Sequence, residues 1–164
     1  MNLQKLFEMQ KGLDQHIEQN HNLENENLFD RKVLALLVEI GELANETRCF
    51  KFWSVKPSSP QATILEEFVD GIHFMLSLGI ETGLSEVDLP SQKQSETEVS
   101  MNEQFLKVFG RINDFRTTKS REHFERMIQD YMMLANLLGF SNEDIEQAYI
   151  SKNEVNYKRQ QEGY

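Results

Sequence analysis

Two short acidic pairs carry the strongest chemical signal in this chain. Glu39-Ile40-Gly41-Glu42 and Glu67-Phe68-Val69-Asp70 each place two carboxylates three residues apart, and 24 residues separate the pairs. On a helix that spacing puts both acids on one face. Each pair lies inside an apolar run, Val33–Ala44 and Ile64–Ile80, where a charge is costly without a partner. One Glu-x-x-Glu alone is commonly a solvated helix face. Two such pairs beside apolar stripes are better explained by a hard cation that relieves their mutual repulsion. Mg²⁺ takes oxygen ligands and commonly bridges carboxylates to substrate phosphates. The residues therefore point to a metal-dependent site for a nucleotide.

Helices must position these acids. At about 100° per residue, Glu39, Glu42 and Glu46 share a narrow face, flanked by Val33, Leu36, Ile40 and Leu43. Glu67 and Asp70 fall near Thr63, Phe74 and Ser77, beside Ile64, Phe68, Ile72 and Met75. Apolar periodicity predicts a first helix over Leu3–Gln19, a second over Leu28–Arg48 and a third that runs to about Glu81. Ser59 is placed to cap the third helix, with Pro60 in its first turn. Phe50–Pro60 reads as a loop, and so does the polar stretch Gly83–Ser100 around Pro90. Further helices are expected at about Met101–Thr117, Ser120–Leu138 and Asn142–Gln160. Ser141 followed by Asp144 suits an N-cap, and Gly139 suits a helix C-terminus. No alternating strand pattern and no internal repeat occur. The expectation is an all-α bundle of about six helices, with residues 1–164 forming one domain.

Composition narrows the function. The chain has 164 residues, a formal net charge of −10, 27% charged and 39% hydrophobic residues. That balance suits a globular protein with a real core. The acidity argues against a non-specific nucleic-acid binder, which needs clustered Lys and Arg. It leaves a nucleotide site open, because metals and a few local cations reverse the field there. Cys49 is the only cysteine, so neither an intramolecular disulfide nor a thiolate zinc cluster is expected. Neither a signal peptide nor an apolar run of transmembrane length is visible, which makes the cytoplasm the default compartment and membrane binding unexpected. Phe105, Phe109, Phe115, Phe124, Met127, Met132 and Met133 read as core or interface.

Glu-x-x-Glu followed at this distance by Glu-x-x-Asp resembles the signature of the all-α nucleoside triphosphate pyrophosphatases, the superfamily of the MazG-type enzymes and the dimeric dUTPases. Three further stretches resemble the dimeric dUTPases in particular: Met9-Gln10-Lys11-Gly12-Leu13-Asp14, Asp70-Gly71-Ile72-His73-Phe74, and the terminal segment from Lys152 through Asn156 and Arg159 to Gly163-Tyr164. The likeness spans essentially the whole chain. It implies dUTP (and dUDP) hydrolysis to dUMP, with pyrophosphate released from dUTP, which keeps uracil out of DNA. Glu39, Glu42, Glu67 and Asp70 would hold two or more Mg²⁺ ions, with Glu39, then Glu42, activating water. Gln10 would read the uracil edge, since its amide can donate and accept, and His73 would meet the sugar. Lys152, Asn156 and Arg159, spaced as one helical stripe, would grip the phosphates. Lys51 and Trp53 would lie in a loop walling the nucleotide pocket. The resemblance also implies a homodimer. The alternatives are a broader MazG-type pyrophosphatase, which shares the metal motif alone, and an acidic module on the same fold that engages a regulatory protein.

Overall fold

The computed structural model describes residues 1–87 and 99–163. Pro90, most of the expected Gly83–Ser100 loop and the terminal Tyr164 lie outside those residues. Among the described residues six helices follow one another: α1 (Leu3–His21), α2 (Phe29–Thr47), α3 (Gln61–Glu81), α4 (Met101–Thr118), α5 (Arg121–Leu138) and α6 (Asn142–Gln161). No strand occurs among the described residues, so the chain is all-α, as its periodicity predicts.

Local chemistry sets the helix ends. Ser100 and Ser141 each accept a bond from the backbone N–H three residues on, and the Glu103 and Asp144 carboxylates in turn accept one from the cap N–H. These reciprocal pairs satisfy donors that a helix start otherwise leaves open. Gly139 ends α5 at φ +81°, a conformation glycine adopts without steric cost. One expectation fails. Ser59 does not cap α3: Pro60 occupies the N-cap position with no side-chain bond, while the Ser59 hydroxyl donates to the Glu46 carboxylate. The loop is thereby tied back to the end of α2, and Pro60 with its fixed φ starts the helix unaided.

α3 is the central element, packed against α1, α2, α5 and α6. Its buried residues run all round the helix, from Ile64 and Phe68 through Ile72, Met75 and Leu78, as a helix enclosed by others requires. Two glycines admit the neighbours. A Cβ on Gly71 would stand 2.3 Å from the Tyr131 hydroxyl, and one on Gly79 would stand 2.6 Å from the Phe124 ring. The Tyr131 hydroxyl uses the space to donate to the Phe68 carbonyl at 2.7 Å, with its ring stacked on Phe68 at 4.3 Å. Phe105, Phe115, Phe124, Met127 and Met132 are core residues, and Phe109 packs against the same core. The exposed apolar side chains lie elsewhere: Leu34 and Val38 on α2, Phe50, Phe52, Trp53 and Val55 in the α2–α3 loop, Leu106 on α4, Leu137 on α5 and Val155 on α6. None of the helices is long and apolar enough to cross a membrane.

Candidate active site

The four acids arrive on two paired helices, and three of them meet. Carboxylate oxygens of Glu39 on α2 and of Glu67 and Asp70 on α3 lie within 4.8 Å of one another. Glu42, one turn beyond Glu39, is exposed and stands outside that trio. It is still close enough to repel Glu39 and Glu67. Burial and then repulsion from Asp70, Glu42 and Glu67 push Glu39 from 4.5 to about 7. Burial, Asp70 and Glu42 likewise raise Glu67. Asp70 is also raised by burial, although Lys152 opposes the shift through a hydrogen bond and its charge. Even Tyr131 is held neutral by burial and by the field of Asp70, Glu39 and Glu67. Clustered oxygens that resist ionising together are a donor set fitted to a hard divalent cation.

α6 brings the cationic stripe to this cluster from the far end of the chain. Lys152 Nζ donates to Asp70 Oδ2 at 2.7 Å and to Glu66 Oε1 at 2.8 Å. Arg159 is near enough to lower Glu66 and to pull Asp70 the same way. Glu39, Asp70, Lys152, Asn156 and Arg159 line a cavity of about 360 Å³. Its lining also takes in the apolar Leu13, Ile17, Leu28 and Phe74, the buried Gln10 and His73, Ser77, and the charged Asp14, Glu18 and Lys32. The cavity therefore combines charged groups with apolar walls. A polyanionic head on a flat, partly polar ring system matches that polarity.

Gln10 and His73 are buried side by side. Gln10 Nε2 donates to Asp14 Oδ1 at 2.7 Å, and its Oε1 accepts from the Tyr149 hydroxyl at 2.7 Å. His73 Nδ1 lies 2.8 Å from the same oxygen, and the His73 ring stacks on Tyr149 at 4.1 Å. Burial, and secondarily Lys152, push His73 down to about 3, so it is neutral. Beneath them Ser77 Oγ donates to Asp14 Oδ2 at 2.6 Å. Lys32 joins Glu81 at 2.8 Å and Glu18 at 3.4 Å, tying α2 to α3 and α1.

Of the residues expected from sequence, Gln10, Glu39, Asp70, His73, Lys152, Asn156 and Arg159 line the one cavity, with Glu67 adjoining it in the acidic trio. Lys51 and Trp53 do not. Lys51 Nζ is bonded to Asn45 Oδ1, and Trp53 is 65% exposed, edge-on to Phe50 and Phe52. No residue of the α2–α3 loop is in the cavity lining, and the loop is held by Arg48 to Ser54 within itself and by Ser59 to Glu46 on α2. Asp14 falls in the Met9–Asp14 stretch singled out from the sequence but was given no role there, and Lys32, Glu66, Ser77 and Tyr149 were not foreseen as part of the site. The signal existed for some of them: Lys32 lies seven residues before Glu39, Ser77 seven after Asp70, and Asp14 four after Gln10, each on the same helical face. Tyr149 lies three residues before Lys152 and seven before Asn156, on the same stripe of α6.

No curated protein matches the sequence at a significant level. A family model described as dUTPase matches residues 2–164. With its six helices, its paired acids on α2 and α3 and a match from end to end, the chain belongs to the dimeric all-α dUTPase family.

Proposed function

We propose that this chain hydrolyses dUTP to dUMP and pyrophosphate in a Mg²⁺-dependent reaction, accepts dUDP as well, and acts as a cytoplasmic homodimer that keeps uracil out of DNA. The observation that carries the proposal is the meeting of the Glu39–Glu67–Asp70 oxygens with the Lys152–Arg159 stripe beside one cavity. Glu39, Glu67 and Asp70, with Glu42 alongside, are the residues to hold two or more ions. Bound there, Mg²⁺ supplies charge neutralisation and Lewis acidity toward the phosphoryl oxygens.

The chain's own groups do the rest. Lys152 and Arg159 bind phosphate oxygens, Arg159 through a planar fork and Lys152 as a point charge, and Asn156 adds an amide. Binding requires Lys152 to exchange Glu66 or Asp70 for the substrate, which the negative phosphates favour. Glu39 orients the attacking water and takes its proton at the carboxylate, a role that needs hydrogen-bond reach, with Glu42 second in line. Leu13, Ile17, Leu28 and Phe74 enclose the base. Rejection of the 5-methyl group rests on a steric clash there, since a missing methyl alone discriminates by only about 1–3 kcal/mol. Turnover of each deoxynucleoside triphosphate and of UTP, with and without Mg²⁺, tests the proposal. dUTP is expected to be hydrolysed far faster than dTTP, dCTP or UTP, and Gln10→Ala to narrow that gap. Comparable rates on all substrates would favour the broader MazG-type reading.

A further inference from the structure

The hydrogen-bond chain beneath the cavity has a direction, and one end of it is open. Asp14, as a carboxylate, only accepts. Burial raises the Asp14 carboxyl above its ordinary range, and the Ser77 hydroxyl and Lys32 Nζ, 3.9 Å from Oδ2, oppose that shift and favour the carboxylate. The Gln10 amide must therefore turn its nitrogen to Asp14 Oδ1 and its oxygen the other way. That oxygen faces Tyr149 Oη and His73 Nδ1 and can only accept, so both neighbours must donate to it. A neutral imidazole carries one N–H, and here it sits on Nδ1. Nε2 is then left with a bare lone pair. It is buried in a side chain only 5% exposed and meets no hydrogen-bond partner among the described residues, although His73 lines the cavity. A buried acceptor without a partner carries an uncompensated desolvation cost, which a ligand donor would relieve.

Tyr149 cannot enforce this arrangement. Its hydroxyl can accept as well as donate, and the Leu6 carbonyl lies 3.4 Å away as an alternative acceptor. With Gln10 flipped, Tyr149 could donate to Leu6 and accept from the amide nitrogen, while His73 moved its proton to Nε2. Among the described residues hydrogen-bonded to the Gln10 side chain, Asp14 is the one that tolerates a single amide orientation.

We propose that Asp14 is a positioning residue that acts through the Gln10 amide to fix His73 as its Nδ1–H tautomer, which leaves the Nε2 lone pair bare beside the cavity as the acceptor for an O–H or N–H donor of the nucleoside. The nucleoside as ligand rests on the proposed function; the tautomer does not. The lone pair is a selective device, because an Nε2–H ring in the same place would repel such a donor and leave it unpaired.

The test is two-bond ¹H–¹⁵N correlation NMR of histidine in the ligand-free, metal-free protein. His73 is expected to show a protonated Nδ1 and an unprotonated Nε2. In Asp14→Ala the ring is expected to become a mixture of tautomers. An Nε2–H or doubly protonated ring in the natural chain, or an unchanged single tautomer in Asp14→Ala, overturns the proposal. Should Asp14→Ala fail to fold, Gln10→Met, which cuts the relay at its centre with its length kept, is expected to give the same mixture, and an unchanged tautomer there overturns it equally. Steady-state kinetics supply a second readout. The nucleoside contact is made in ground and transition states alike, so Asp14→Ala should raise KM for dUTP about tenfold or more with kcat little changed. A drop in kcat at constant KM would refute the role. Absence of dUTP turnover in the natural chain would count against the proposed function and leave the tautomer result standing.

Discussion

Glu39→Gln should make the metal-free protein more stable, by an amount that depends on pH. In the folded chain Glu39 titrates near 7 instead of 4.5 because it is half-buried beside Asp70, Glu42 and Glu67. Below about 4.5 both folded and unfolded chains hold the proton, and the site costs nothing. As pH rises from 4.5 to about 7 the unfolded chain ionises while the folded one keeps its proton, so stability falls; above about 7 the loss is complete. At ~1.4 kcal/mol per pH unit the full difference is ~3.4 kcal/mol, and solvent screening at a half-exposed carboxylate reduces it to ~1–2 kcal/mol. For a chain of this size that corresponds to a rise in Tm of about 2–8 °C. The assay is thermal unfolding in EDTA at pH 8 and at pH 4.5. The Glu39→Gln protein should melt higher at pH 8 and within about a degree of the natural chain at pH 4.5. Adding Mg²⁺ should reverse the order. An ion present at a hundred times its Kd stabilises the natural chain by ~2.7 kcal/mol, and the amide, a weaker ligand, should recover little of that. Equal melting at pH 8 in EDTA, or the same stabilisation at both pH values, would refute the account of a strained acidic cluster.

Three further outcomes can be checked. Hydrolysis of dUTP should stop in EDTA, and Asp70→Ala should lower kcat by orders of magnitude, since it removes a carboxylate oxygen and the Lys152 anchor together; full activity in EDTA would exclude the metal-dependent reading. Gly71→Ala should cost about 1–3 kcal/mol in urea unfolding, because the added Cβ would lie 2.3 Å from the Tyr131 hydroxyl; an unchanged midpoint would show that Tyr131 is not rigidly held. Sedimentation should give a dimer, and Leu34→Glu, on the exposed side of α2, should shift it toward monomer, whereas an active, stable monomer at micromolar concentration would contradict the assembly.

Much of the architecture was legible because helices are written in local periodicity. The expected spans of all six elements match those observed to within about two residues, and the Ser141–Asp144 and Gly139 ends appear as anticipated. Both are interactions over three or four residues, which the chain order alone determines. The acids were legible for the same reason, since three residues on a helix fix a face whatever surrounds it. Ser59 escaped because its hydroxyl is claimed by Glu46, thirteen residues away, a partner that only packing supplies. Trp53 and Lys51 escaped because a loop's direction depends on where its anchors are held. What tertiary structure alone decided is which polar groups face one another across helices. Gln10 on α1 and His73 on α3 are 63 residues apart, and Gln10 and Tyr149 on α6 are 139 apart. The sequence named Gln10 as an amide able to donate and accept. Only the packing of α1, α3 and α6 consumes its oxygen internally and leaves the open acceptor on His73, because the geometry of a hydrogen bond belongs to the meeting of side chains and is carried by neither chain segment alone.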